Sequence, residues 1–291
     1  MIDVLMSPAF RRIALLIAPH LLLLVILLSV TQAIFLEMSL HRDVGLGQVD
    51  PSTSIHNYVA AVSGNFYLSS LQITLVISAI VVVLSMLVSY PAAYALARLS
   101  PRMASWAMAA VVSSSFLAGA VKLLGLVILF GMEGPFNRAL RALGLADEGF
   151  RLIGTLSGVM VGYAYLSIAF SLTMLYTTLR TIPVSCEEAA AAHGASKWRT
   201  FLRVTWPLSL PGVISTALIQ FNLLMGAYAV AAVLGGGRVL TFPVLIQRTL
   251  MHFNDYGMAA ALSVILLVLV IVVNLAADRF GRPHHGMAAS P

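Results

Sequence analysis

Long apolar runs separated by short polar stretches set the character of this chain. Runs near Ile13–Phe35, Leu71–Ala97, Met103–Phe130, Leu152–Leu179, Val213–Leu234 and Gly257–Ala277 stand out. Each reaches the roughly 20 residues that a helix needs to cross the hydrocarbon core of a bilayer. No water is present there to satisfy backbone N–H and C=O groups, so the runs are predicted as helices. The pattern predicts an all-α polytopic membrane protein with six transmembrane helices. The first run follows Arg11 and Arg12, but it is too long for a signal-peptide core and leads into Leu36, Glu37 and Met38. A cleavage site needs small residues at that point, so the segment is expected to be a retained anchor.

Two intervening stretches are longer than simple connections. His41–Ser70 is polar, with turn signals at Asp50-Pro51 and Ser63-Gly64. Gly134–Phe150 places Phe136, Leu140 and Leu143 at helical spacing, with Arg138 and Arg141 on the other side. That spacing predicts a short amphipathic helix at the outer interface, either as a cover for the bundle or as a docking surface. The expected organisation is a cytoplasmic N-terminal segment over 1–12, one six-helix membrane domain over 13–280 with a cytoplasmic loop at 181–211, and a loose cytoplasmic tail over 281–291.

Composition strengthens this reading. Of 291 residues, 60% are hydrophobic and 10% charged, against about a quarter charged in a soluble domain. The mean hydropathy is +0.95. The formal charge of +6 raises the question of nucleic acid, but its distribution points to membrane orientation. With the N-terminus inside, the inner segments hold ten of the seventeen basic residues and four of the eleven acidic ones. The outer segments hold six and seven, and Lys122 lies within a span. An excess of Lys and Arg marks the cytoplasmic side, and an even number of spans returns the C-terminus to it. No nucleic-acid partner is expected; the surrounding partner is the lipid bilayer. One cysteine, Cys186, allows no intrachain disulfide, and no Cys/His cluster points to a metal.

The most distinctive polar stretch lies between spans four and five. Ser185 and Glu188 fit a capping box, in which the Ser185 hydroxyl accepts from the Glu188 N–H and the Glu188 carboxylate reaches back. Ala189 to Ala192 propagate a helix with a narrow face. Gly194 supplies a left-handed closing residue. A second short helix is expected over Lys197–Thr205, followed by extended or turning backbone at Pro207 and Pro211. The predicted product is a helix–turn–helix elbow that meets a soluble cytoplasmic partner.

This arrangement resembles the conserved cytoplasmic loop of binding-protein-dependent ABC importer permeases, whose pattern is Glu-Ala-Ala, three residues, Gly, nine residues, an aliphatic, one residue, Leu-Pro. Glu188, Ala189, Ala190, Gly194, Val204 and Pro207 match in register, with Trp206 in place of the leucine. Further similarity lies at Thr74-Leu75, along Tyr90–Arg98, and at Gly134–Asn137 with Leu143–Leu145. Leu234–Thr241 is similar to the spermidine/putrescine-type branch, whereas the proline common in its fourth span is absent at Ser167–Phe170.

The resemblance implies a type I, MetI-like importer permease fold in a bacterial inner membrane. It also implies a second permease subunit, two cytoplasmic ATPase subunits and an outer solute-binding protein. The elbow would then be the coupling helix, with Glu188 and Gly194 at the ATPase contact. No cofactor is expected in this chain, because ATP and magnesium would sit on the ATPase.

Candidate path residues are Lys122 in the third span, Tyr163 and Tyr165 in the fourth, and Asn222 and Tyr228 in the fifth. A charge at that depth costs about 2.5–3.5 kcal/mol on insertion scales. Lys122 therefore either faces the solute path, pairs with a carboxylate such as Glu133, or snorkels outward. For the tyrosines and the asparagine, ordinary interhelical packing is the favoured reading and the path the alternative.

Competing functions lack their signatures. There is no His-Glu-x-x-His, nucleophile elbow or Walker A loop for an enzyme, since Gly235-Gly236-Gly237 is not followed by Gly-Lys-Ser/Thr. A stand-alone secondary transporter would want acidic residues within its spans or two similar halves. The solute expected from the local similarity is a polyamine or related small polar metabolite. The intramembrane lysine instead favours an anionic solute such as a carboxylate or phosphonate.

Overall fold

The computed structural model describes residues 8–45, 48–116, 119–145 and 149–281. Its elements are α1 (Pro8–Ser39), β1 (His41–Gly45), β2 (Gln48–Thr53), α2 (His56–Ser63), α3 (Asn65–Arg98), α4 (Pro101–Phe116), α5 (Gly119–Phe130) and α6 (Pro135–Ala142). They continue as α7 (Leu156–Arg180), α8 (Val184–Ala192), α9 (Lys197–Thr200), a π-turn (Phe201–Thr205), α10 (Trp206–Met225), α11 (Tyr228–Leu234), α12 (Phe242–Met251) and α13 (Tyr256–Gly281). Six stretches of the described residues are long and apolar enough to cross a membrane: Ile17–Ser39, Asn65–Arg98, Gly119–Ala142, Leu156–Arg180, Lys197–Met225 and Tyr256–Ala277.

Four predicted spans coincide with α1, α3, α7 and α13, and the fifth needs correction. The third falls on α4 and α5, on either side of residues 117–118, which lie outside the described residues. The fifth does not run from Val213 to Leu234. Its helix starts earlier, is continuous from Lys197 through the π-turn to Met225, and ends at Gly226, after which α11 is a separate short helix. Apolarity alone hid this break, because Gly226 and Ala227 interrupt a helix without interrupting a hydrophobic run.

The chain divides into two compact units, Met1–Asn65 with Ile246–Val268, and Phe66–Leu245 with Leu269–Pro291. In the first, β1 and β2 form a two-stranded antiparallel hairpin. Buried Asn57 in α2 donates to the Ser39 and His41 carbonyls at 3.1 and 2.8 Å, and Ser39 Oγ lies 2.6 Å from Tyr58 Oη. Asp255 precedes α13 and accepts from the Met258 N–H at 2.8 Å, an N-cap that satisfies an orphan donor of the first turn. Burial pushes the Asp255 carboxyl up, the Met258 N–H opposes this, and the nearby Asp43 charge adds to the rise.

In the second unit, one apolar cluster is built from Ile77, Val81, Leu126, Val159, Tyr163 and Leu234. The other joins Tyr90, Ala93 and Ala97 of α3 to Leu172, Leu175 and Leu179 of α7. Helix α10 packs closely on α7 at Gly212, where a Cβ would lie 2.2 Å from Thr178 Cγ2. Small residues at helix crossings are the expected means of association in lipid, where apolar surface alone gives little drive. Buried Gln220 of α10 ties three helices together. It accepts from Ser171 of α7 and donates to Ser85 of α3 at 2.5 Å. The predicted amphipathic helix is α6: Phe136 packs edge-on against Phe130, and Arg141 pairs with Glu133 at 3.5 Å. Leu143 and Leu145 beyond it stay exposed, and the tail over 282–291 lies outside the described residues.

Candidate functional site: the elbow between α7 and α10

The predicted helix–glycine–helix shape is present, with a different start. Helix α8 begins at Val184 with Pro183 as N-cap and no side-chain cap bond. The Ser185–Glu188 capping box is therefore corrected. Pro183 presets the backbone two residues ahead of it, which carries Ser185 and Glu188 inside the helix, beyond the cap. Gly194 has φ of +80°, the left-handed conformation expected of the closing residue, and open space around its α-carbon. The cap predicted at Ser185 occurs instead at Ser196, whose hydroxyl accepts from the Arg199 N–H at 3.4 Å.

The second half of the elbow also departs from the sequence pattern. Pro207 and Pro211 do not produce extended backbone; both lie in α10. In an α-helix, the Pro207 ring would crowd the carbonyl four residues earlier. The chain instead widens into a π-turn over Phe201–Thr205, and the Trp206 N–H bonds back to the Phe201 carbonyl. Under it lies an aromatic cluster, with Tyr90 edge-on to Phe201 and Trp206 at 5.9 and 5.2 Å and Trp198 stacked on Phe201 at 5.6 Å. The Tyr90 hydroxyl lies 2.7 Å from Ser209 Oγ.

Two adjacent carboxylates of α8 are sorted by this scaffold. Glu188 is exposed, and among the described residues it forms no ion pair. Glu187 is turned inward. Arg98, the last residue of α3, donates from Nε to Glu187 Oε2 at 3.1 Å and from Nη2 to Oε1 at 2.6 Å. Buried Thr205, at the end of the π-turn, donates to the same Oε1 at 2.7 Å. Burial alone would raise the Glu187 carboxyl, but the Arg98 and Thr205 hydrogen bonds and the Arg98 charge outweigh it and hold the carboxyl below the ordinary glutamate range. The guanidinium also sits 5.5 Å from the Tyr94 ring centroid. The Glu187 pairing had no local signal, since its partner lies 89 residues away.

Beside the pair runs an apolar groove of about 870 Å³, lined by Tyr94, Val184, Glu188, Ala191, Trp198 and Phe201 among others. A smaller recess of about 320 Å³ near Gly194 is lined by His193, Arg199 and Arg203. Ala189 is exposed, Ala190 and Val204 are half-buried, and Pro207 is exposed. The elbow therefore presents Glu188, Ala189, Gly194 and Pro207 outward while Glu187 and Thr205 hold it from behind.

The five candidate path residues lie on different elements. Tyr163 is buried, and its hydroxyl donates to the Ala227 carbonyl at 2.6 Å, at the break between α10 and α11. Asn222 exchanges amide hydrogen bonds with Asn274 of α13, at 2.9 and 3.1 Å. Tyr165 and Tyr228 are exposed. Lys122 is half-buried in the first turn of α5, and among the described residues no carboxylate pairs with it; Glu133 turns to Arg141 instead. No hydrogen bond, ion pair or ring contact between described residues joins any two of the five.

Six helices long and apolar enough to cross a bilayer, with an exposed elbow between the fourth and fifth, mark a polytopic membrane protein. The chain belongs to the family of binding-protein-dependent transport system inner membrane components, whose pattern matches residues 103–283. It is similar to the spermidine/putrescine transport system permease protein PotB of Haemophilus influenzae, 27% identical over 69% of this chain and 70% of that one. The PotB of Escherichia coli K12 is 28% identical over 68% and 72%. Its fold is shared with a chain of a bacterial alginate ABC transporter in complex with an alginate pentasaccharide-bound periplasmic protein, with a TM-score of 0.74, 15% identity, and coverage of 96% and 97%. The protein is an ABC importer permease of the MetI-like fold.

Proposed function

We propose that this chain is one permease subunit of an ATP-driven importer for a polyamine or related small polar solute delivered by an outer binding protein. A second permease subunit and two cytoplasmic ATPase subunits complete the complex, both termini are cytoplasmic, and ATP with magnesium is handled by the ATPases. The elbow formed by α8, α9 and the π-turn is the coupling element. ATP-driven closure of the ATPases displaces it, and the spans respond by opening outward. Glu188, Ala189, Ala190, Gly194, Val204 and Pro207 form its contact and hinge positions. The observation that carries this reading is the exposed elbow, with a Glu188 that forms no ion pair among the described residues and a left-handed Gly194 in register with the family pattern.

The polyamine class rests on the names of the PotB relatives. A second reading, an anionic solute, is favoured by Lys122, a half-buried intramembrane cation without a carboxylate partner among the described residues. In either case Lys122, Tyr163, Tyr165, Asn222 and Tyr228 are the candidate path residues. A thermal-shift screen of the cognate binding protein with polyamines and with small carboxylates and phosphonates separates the two. Stabilisation by polyamines alone supports the first reading, and stabilisation by anions alone replaces it with the second.

A further inference from the structure

Two observations at the elbow go beyond its outward contact. Its inward face is tied at a single carboxylate to two different spans: α3 through the two-pronged Arg98 hydrogen bonds, and the entry of the fifth span through Thr205. Thr205 occupies its position because the π-turn inserts one extra residue before α10, advancing the face that follows by about 100° relative to a regular helix. A two-pronged guanidinium–carboxylate contact fixes direction as well as distance, which a single contact does not.

We propose that the Arg98–Glu187–Thr205 cluster is the joint that passes displacement of α8 to the second and fifth spans. Glu187 is then a positioning residue, separate in role from the outward Glu188. This inference rests on the coupling role given above to the elbow. The physical argument is one of stiffness. Helix α8 spans only Val184–Ala192 and has no fully buried residue, so packing of its own face holds it weakly. A push or pull on such a helix is absorbed locally unless something ties it to the spans. Among the described residues, the Arg98 ion pair ties it to α3 and the Thr205 hydrogen bond ties it to the π-turn.

The test measures the distance between α8 and the end of α3 in the assembled transporter. Spin labels are placed at Ala192→Cys and Leu99→Cys in a Cys186→Ser background, with the cognate ATPase and second permease present. The complex is compared without nucleotide and trapped with ATP and vanadate. With the joint intact, the distance is the same in both states, because α8 and α3 move together. In Glu187→Gln the distance differs between the states, and stimulation of ATP hydrolysis by the binding protein falls about tenfold, within the usual scale of coupling between sites. The exchange Arg98→Glu with Glu187→Arg recovers both readouts in part.

A nucleotide-dependent distance in the intact complex overturns the proposal. So does a Glu187→Gln complex with the unchanged distance and full stimulation. A parallel Glu188→Lys complex distinguishes the two levels. If it still assembles and couples, the coupling role of the elbow itself fails; if only the Glu187 results fail, the joint alone is lost.

Discussion

Glu187 and Glu188 are neighbours in sequence and face opposite environments, one held by Arg98 and Thr205, the other exposed. The held carboxyl has a lowered pKa, so its stabilising contribution is present at neutral pH and disappears as pH falls through the folded-state value. Glu187→Gln is expected to lower the melting temperature at neutral pH, and the difference from the wild type should shrink toward zero in acid. A difference constant with pH would remove the ion pair as its cause.

Asp255 has the reverse sign. Its carboxyl is raised by burial and by Asp43 against the opposing Met258 N–H, so ionisation costs more in the folded chain than in water and the charge subtracts from stability at neutral pH. Asparagine caps helices about as well as aspartate. Asp255→Asn should therefore hold or raise the melting temperature at neutral pH, and a clear loss would show that the charge itself is needed. At Gly194, a φ of +80° makes alanine strained by roughly 1–2 kcal/mol even though no atom would be struck. Much of this was readable from type and spacing: Gly194 as a left-handed closure and Glu188 in its motif. The Glu187 contact and the Thr205 bond were not, because both depend on long-range packing and on a π-turn with no simple sequence signature.

Between elements, apolar length located the helices but not their interruptions. The predicted fifth span ran through Gly226, because a hydrophobic run reports burial in lipid whether or not its backbone stays helical. The prolines misled in the opposite direction. Pro207 and Pro211 read as extended or turning backbone before the fifth span, yet Pro207 follows the π-turn into the first turn of α10 and Pro211 lies within that helix.

The contact between α10 and α7 offers a direct packing test. At Gly212 a Cβ would lie 2.2 Å from Thr178 Cγ2, so Gly212→Ala should cost about 1–3 kcal/mol by overpacking. Thr178→Ala should restore most of that loss in the double variant, measured by thermal unfolding in detergent. Additive losses would place the clash elsewhere.

For the molecule as a whole, the family assignment and the shared fold describe a subunit, and the elbow is where we propose that this subunit meets its source of energy. The sequence register singled out the elbow, and the structure describes how it is built: Gly194 closes α8, the π-turn carries the chain into the fifth span, and Glu187 is tied to α3. The solute is a separate matter, since the five candidate path residues are not gathered into one cluster. The most direct measurement of the central claim is ATP-driven uptake by the reconstituted complex carrying Glu188→Lys, with membrane insertion and ATPase co-purification followed in parallel. The account predicts normal insertion, loss of the ATPase subunits and uptake at background. Wild-type uptake at wild-type expression would contradict it.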